Sequence, residues 1–248
     1  MGNQEWLIGV IKVQELLIMY KIREWEQLPD YMKQEALKPY YNLLRKKRVS
    51  LLIKRCFDVA MSFMMLLLLS PVFLVLAVWI KSDSKGPVFF RQVRVTQYGR
   101  LFKIIKFRTM VNDAESKGAQ VTSKNDARIT RVGEKIRKYR LDEFPQLINV
   151  LFGDMSFVGT RPEVPKYVKR YDDEMYATLL LPAGITSEAS IRYKDEDELL
   201  SRYADIMSSD SIYIKKILPE KMKWNLKAIK DFSLWNDIKV MINTVIQV

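Results

Sequence analysis

Asp142 and Glu143 stand side by side in Arg137-Lys-Tyr-Arg-Leu-Asp-Glu-Phe-Pro145, within a chain of formal net charge +12 that contains no histidine. Two adjacent carboxylates among arginines suit divalent-metal and phosphate chemistry. Composition removes the catalytic systems built on histidine. With no histidine and Cys56 as the one cysteine, neither a Cys/His zinc site nor a Ser-His or Cys-His nucleophile can be assembled. General acid–base work then falls to Asp, Glu, Lys or Tyr. A lone cysteine also rules out an intrachain disulfide and suits a reducing compartment.

The elements around the pair are legible as patterns. Thr130 to Tyr139 reads as a helix with Ile136 on its inner face, and Gln146 to Phe152 reads as another that ends at Gly153. Pro145 suits the first turn of that second helix, which places Asp142 and Glu143 at a helix start. Acidic residues there serve equally well as capping residues, since backbone N–H groups and the helix dipole favour negative charge. Downstream, the prolines of Arg161-Pro162-Glu163-Val164-Pro165 hold Arg161 in a rigid extended loop, where it could meet a phosphate with two hydrogen bonds. Upstream, Val88–Val95 and Leu101–Met110 alternate as a β-hairpin turning at Gln97–Arg100, with Lys106 and Arg108 on one face by the period of two. No glycine-rich P-loop or dinucleotide fingerprint is present. Asn112 to Asp126 reads as a polar loop.

An uncharged run, Val59 to Ile80, would rise about 33 Å as a helix and match a bilayer core of about 30 Å. A single transmembrane helix is one reading. Ser70-Pro71 in its middle supports a kink, and basic residues flank both ends (Arg45 to Arg55, then Lys81 to Arg94), so the positive-inside bias gives no orientation. A kinked helix that enters one leaflet and returns satisfies both facts. Ahead of it, Trp6 to Tyr20 and Tyr31 to Arg48 read as helices. They fit a hairpin packed on the main domain as well as an amphipathic segment on the membrane surface. Met1-Gly2 lacks the myristoylation pattern, because position 6 is Trp6.

From Lys54 onward the chain resembles the bacterial sugar transferases, the monotopic polyprenyl-phosphate phosphoglycosyl transferases. The resemblance rests on motifs in family order: Lys54-Arg55-Cys-Phe-Asp58, Ser70-Pro71, Lys106-Phe-Arg108-Thr-Met110, Asp126-Ala-Arg128-Ile-Thr-Arg-Val-Gly133, Leu141-Asp-Glu-Phe-Pro-Gln-Leu147, Asn149 to Gly159, and Phe232-Ser-Leu-Trp-Asn-Asp-Ile-Lys239. It implies that Asp142 is a nucleophile attacking the β-phosphate of a UDP-sugar. UMP would leave, and polyprenyl phosphate, such as undecaprenyl phosphate, would then take the sugar phosphate from the aspartyl intermediate. It further implies Mg²⁺ at Glu143 and Asp142, phosphate contacts from Arg137, Arg161, Lys106 and Arg108, and a re-entrant helix broken at Ser70 and Pro71. Two departures stand out. Thr160 replaces a proline before Arg161, and Pro182 to Ser190 replaces a Gly-Trp-Ala-Gln type segment that would touch the nucleotide sugar, so the sugar stays open.

The resulting expectation is an α+β, helix-rich monotopic membrane protein with a re-entrant kinked membrane helix, a small β-hairpin and amphipathic interfacial helices. Residues 1–53 would form a helical extension, 54–82 the membrane helix and 83–248 a cytoplasmic catalytic domain at the bacterial inner membrane. Expected partners are a UDP-sugar, polyprenyl phosphate, membrane lipids and a second copy in a homodimer, without nucleic acid. The contrasting reading is a membrane-anchored basic module that binds anionic lipid or nucleic acid without catalysis; it accounts for the charge and the apolar run but not for the acidic pair.

Overall fold

A computed structural model describes residues 22–112, 114, 126–203 and 207–247. The expected helix Trp6 to Tyr20, the Met1-Gly2 reading and most of the loop Asn112 to Asp126 lie outside them.

The architecture is α+β and rich in helix. In chain order come α1 (Lys38–Lys46), α2 (Arg48–Asp83), β1 (Phe89–Val95), β2 (Leu101–Phe107), α3 (Arg131–Lys138), α4 (Gln146–Leu151), β3 (Met155–Val158), α5 (Pro165–Val168), β4 (Ala183–Thr186), α6 (Glu188–Arg192), α7 (Glu196–Arg202), α8 (Ser209–Ile212), α9 (Leu218–Lys230) and α10 (Leu234–Gln247). Strands β1 and β2 form the antiparallel hairpin, with Phe90 opposite Lys106, and β3 and β4 form a parallel pair. The hairpin turn falls at Gln97–Gly99 as its alternation foretold. The segment 22–47 is less helical than its pattern suggests. It crosses the domain in short 3₁₀ turns before α1, and it buries Ile22, Leu28, Met32, Leu37, Tyr40, Tyr41 and Leu44 in the main core with Leu179, Ile217 and Met222. This part of the extension is therefore packed on the domain.

Helix α2 starts at Arg48, ahead of Lys54, and runs continuously through Pro71 to Asp83. It is long and apolar enough to cross a membrane, with a mean hydropathy of 2.7 in its most apolar window. Ser70 Oγ donates to the Leu67 carbonyl at 2.8 Å, beside the hydrogen bond that Pro71 cannot make. Both ends of α2 are tied to the domain while its middle is bare. At the start, Leu51, Lys54, Arg55, Asp58 and Ser62 are buried; towards the end, Leu76 and Ile80 pack with Phe107, Val132 and Ile136. Between them Phe63, Leu67, Leu68, Leu74 and Val75 are exposed.

The polar anchors explain the charged residues at the start of an apolar helix. Arg55 donates to the Val150 carbonyl at 2.7 Å, which also accepts from the Gly153 N–H, and to the Leu151 carbonyl at 2.9 Å, so it ties down the C-terminal turn of α4. The Phe157 N–H donates to Asp58 at 3.3 Å. Lys54 Nζ meets Asp237 of α10 at 2.5 Å, with the two side chains 6% and 16% exposed. At the other end, Asp83 accepts from the Val132 N–H at 3.1 Å and so helps cap α3. Deleting one member of a buried ion pair strands the other charge, at a cost of about 3–5 kcal/mol. Lys54→Met should therefore lower the melting temperature in detergent, and Lys54→Met/Asp237→Leu should recover more than half of the loss; equal melting of the wild type and the single variant would contradict a structural pair.

Candidate active site

The acidic pair is placed by the end of one helix and the start of the next. Helix α3 begins at Thr130, whose Oγ1 accepts from the Gly133 N–H at 3.0 Å. It stops at Tyr139, and Arg140 then takes a left-handed conformation (φ 50°), which is unusual for a residue with a side chain. This reversal throws the chain into a 3₁₀ turn, Leu141–Glu143, directly before Pro145 and α4. Neither carboxylate caps a helix: no side chain makes a capping hydrogen bond at that turn or at α4. The capping reading is thus corrected. The short turn aims both side chains sideways into a cavity of about 750 Å³ rather than back along the helix axis.

Asn149 fixes the height of that turn against the hairpin. Its Oδ1 accepts from the Ile105 N–H at 3.0 Å and its Nδ2 donates to the Lys103 carbonyl at 2.9 Å, so α4 is bonded to β2 much as another strand would be. Lys106, the next residue along β2, therefore reaches Glu143 at 2.9 Å. Arg161 reaches the same oxygen, Oε1, at 2.6 Å, and the Glu143 side chain is only 12% exposed. Arg161 leaves the end of the β3–β4 pair. There Gly159 and Gly184 lie so close that a Cβ on Gly184 would stand 2.1 Å from the Gly159 nitrogen, and the Gly184 N–H donates to the Thr160 carbonyl at 2.9 Å.

The neighbouring carboxylate is treated differently. Among the described residues Asp142 forms no hydrogen bond or ion pair, although Lys106, Arg137 and Arg161 are near enough to act on it through space. Burial raises its pKa, opposed first by the Lys106 charge, reinforced by Glu143, and opposed again by Arg137 and Arg161. Burial alone would raise Glu143 too, but Arg161 and Lys106 hold it well below the usual carboxylate range. Two adjacent acids are driven apart by their surroundings, Glu143 held as an anion by two cations and Asp142, with no bonded partner among the described residues, raised by burial.

The other expected residues divide. Arg137 lines the cavity, and its guanidinium makes no hydrogen bond or ion pair among the described residues. Arg108 also reaches the cavity wall, but it is buried and donates to the Lys85 carbonyl and, at 2.7 Å, to the Ser84 carbonyl. It holds the chain that leaves α2. Ser70 and Pro71 are exposed in the middle of α2, away from this cavity. The far wall was not foreseen: Glu163, Glu196, Tyr213 and Lys221 line it, with Lys221 Nζ 2.8 Å from Glu196. Prolines around Glu163 mark a rigid loop, but nothing local marks Tyr213 or Lys221 as its neighbours. Ser190 and Tyr193, at and just beyond the end of the departing segment Pro182 to Ser190, line the same cavity.

A hairpin, two short helices and a parallel strand pair thus converge on an asymmetric carboxylate pair rimmed by cations, an arrangement fitted to phosphoryl chemistry beside an apolar helix. The chain belongs to the bacterial sugar transferase family, whose model matches residues 49–248. It is similar to UDP-N-acetylgalactosamine-undecaprenyl-phosphate N-acetylgalactosaminephosphotransferase of Aeromonas hydrophila, with 40% identity over 78% of this chain and 43% of the relative. UDP-glucose:undecaprenyl-phosphate glucose-1-phosphate transferase of Klebsiella pneumoniae shows 36% identity over 79% of this chain and 40% of the relative. Undecaprenyl-phosphate galactose phosphotransferase of Salmonella typhimurium shows 34% identity over 80% and 40%. The chain thus spans less than half the length of these relatives.

Replacing Lys106 by Met removes the largest charge acting to lower the Asp142 pKa. In metal-free protein, carbon-13 NMR of labelled aspartate should show Asp142 titrating above an ordinary aspartate in the wild type and higher still in Lys106→Met; a downward or absent change would contradict the assigned electrostatics.

Proposed function

We propose that the chain transfers a sugar-1-phosphate from a UDP-sugar to polyprenyl phosphate at a membrane surface and releases UMP, the first membrane step of a bacterial surface glycan pathway. The observation that carries this reading is the asymmetry of the pair, with Glu143 bound by two cations and Asp142 without a bonded partner among the described residues. The names of the relatives supply the substrate classes, UDP-linked sugars and undecaprenyl phosphate; they differ in the sugar, so the hexose is left unspecified.

In the first step an Asp142 carboxylate oxygen attacks the β-phosphorus. The bond from that phosphorus to the bridging oxygen breaks, and UMP departs with the electron pair, leaving the sugar phosphate esterified to Asp142. In the second step an oxygen of polyprenyl phosphate attacks the same phosphorus and frees the Asp142 carboxylate, giving polyprenyl-diphosphate sugar. Arg161 and Arg137 are suited to hold the equatorial phosphate oxygens while charge shifts toward the leaving group. Lys106 keeps Glu143 anionic and lowers the proton affinity of the nucleophile. Arg108, engaged with backbone, would act on phosphate only through the field of its charge.

Mg²⁺ fits this site in one form. Among the described residues no group of three or more His, Cys, Asp or Glu could hold a metal. Mg²⁺ commonly takes one or two protein carboxylates and completes its shell with water and substrate phosphates, so Asp142 and Glu143 match an ion that arrives with the diphosphate. When bound, it would offset diphosphate charge.

A re-entrant α2 places this chemistry at the cytoplasmic face of the inner membrane, where a soluble nucleotide sugar and a lipid phosphate can meet. Supporting it, both ends of α2 bury side chains in the same domain and the bare stretch between them contains Ser70-Pro71. On this reading residues 83–248 form the catalytic domain on that side. Exposed Trp235, Ile242 and Val245 on α10 add an amphipathic helix suited to the interface.

Asp142→Asn should reduce UMP release from a UDP-sugar, Mg²⁺ and polyprenyl phosphate by at least about 10³-fold, and retained turnover would remove Asp142 as the nucleophile. In a variant lacking Cys56, cysteines introduced beside Lys54 and Lys85 should both react with an impermeant thiol reagent from the cytoplasmic face; reaction from opposite faces would establish a span.

A further inference from the structure

The loop that delivers Arg161 is secured by residues with no assigned part in the reaction. Arg94 of β1 donates to the Pro162 carbonyl at 3.0 Å and to the Gln92 side chain at 2.8 Å. The Val95 N–H donates to the Glu163 carbonyl at 2.9 Å. The Glu163 carboxylate, 6% exposed, accepts a hydrogen bond from the hydroxyl of Tyr213, 3% exposed. Tyr213 stands at the start of a π-helical turn, Tyr213–Ile217, inserted between α8 and α9. Such widened turns are rare and recur at functional sites, where they re-aim a side chain. The Tyr213 ring packs on Tyr167 with centroids 4.6 Å apart, and Lys221 Nζ lies 3.5 Å from the hydroxyl. Burial first, then the Glu163 and Glu196 charges, pushes the phenol well above its usual pKa, so it remains a proton donor.

We propose that Glu163 and Tyr213 are positioning residues whose hydrogen bond, with the grip of Arg94 on Pro162, keeps Arg161 on Glu143 and away from the unbonded Asp142. The idea rests on the reading of Asp142 as nucleophile. Its physical basis is competition: one arginine has two carboxylates on adjacent residues within its electrostatic reach. A loop free to shift would let Arg161 pair with Asp142 instead, and this would mask the attacking oxygen and leave Glu143 to Lys106 alone. The two carboxylates thus have separate tasks, Glu143 receiving the guanidinium of Arg161 and Glu163 fixing its backbone.

The test is single-turnover UMP release by the full chain in detergent or nanodiscs. Tyr213→Phe should lower the rate constant about tenfold, with the reactive fraction and the KM for UDP-sugar changed less than about threefold. Glu163→Gln keeps an acceptor for the Tyr213 hydroxyl and should recover most of the rate lost in Glu163→Ala. In an Arg161→Lys background Tyr213→Phe should add no further loss, because the clasp acts only through Arg161. If Tyr213→Phe does not fold, the same cycle is run with Glu163→Ala. Additive losses, or a Tyr213→Phe rate within about twofold of wild type beside an inactive Asp142→Asn, would overturn the clasp alone. Turnover by Asp142→Asn would instead overturn the nucleophile on which it rests.

Discussion

Glu143 sits between Lys106 and Arg161, and that three-membered ion cluster organises the rest of the site. Each cation comes from a different part of the chain, one from the second strand of the hairpin and one from the loop after β3. Burying three charges is costly, and attraction offsets that cost only when each partner is well placed. The placing is done by other contacts: Asn149 bonded to β2, the close approach of Gly159 and Gly184, and Arg94 on Pro162. Lys106 and Arg161 both bind Oε1 of Glu143, and among the described residues Asp142 is left without a bonded partner.

The same cluster is coupled to the long apolar helix α2 through helix ends. Arg55 ties down the C-terminal turn of α4, the helix that follows the acidic pair, and Asp83 helps cap α3, the helix that precedes it. Both flanks of the Asp142–Glu143 turn are thus referenced to the two ends of α2. Charged residues at the start of an apolar helix look like topology signals in the sequence. In the structure Lys54, Arg55 and Asp58 are buried anchors.

Local pattern carried much of this. The hairpin, the helix over Arg131–Lys138 and the helix ending at Gly153 (φ 82°) lie where alternation, capping and glycine placed them. What escaped was non-local. The parallel pairing of Met155–Val158 with Ala183–Thr186 has no hairpin turn to announce it, because parallel neighbours require a long crossover. Likewise no spacing in the chain brings Tyr213 to Glu163, and period two put Arg108 beside Lys106 without revealing that backbone carbonyls would claim it. Asp142 and Glu143 were legible as a pair; their separate environments depended on Lys106 and Arg161, which only folding brings near.

The central claim is that Asp142, and not Glu143, carries the sugar phosphate. Protein incubated with a UDP-sugar and Mg²⁺ but without polyprenyl phosphate, then quenched in acid and digested, tests it directly by fragmentation mass spectrometry. A sugar-phosphate adduct localised to Asp142, formed together with UMP and lost on adding polyprenyl phosphate, is the predicted result. An adduct on Glu143, or UMP released with no adduct on either residue, would contradict it.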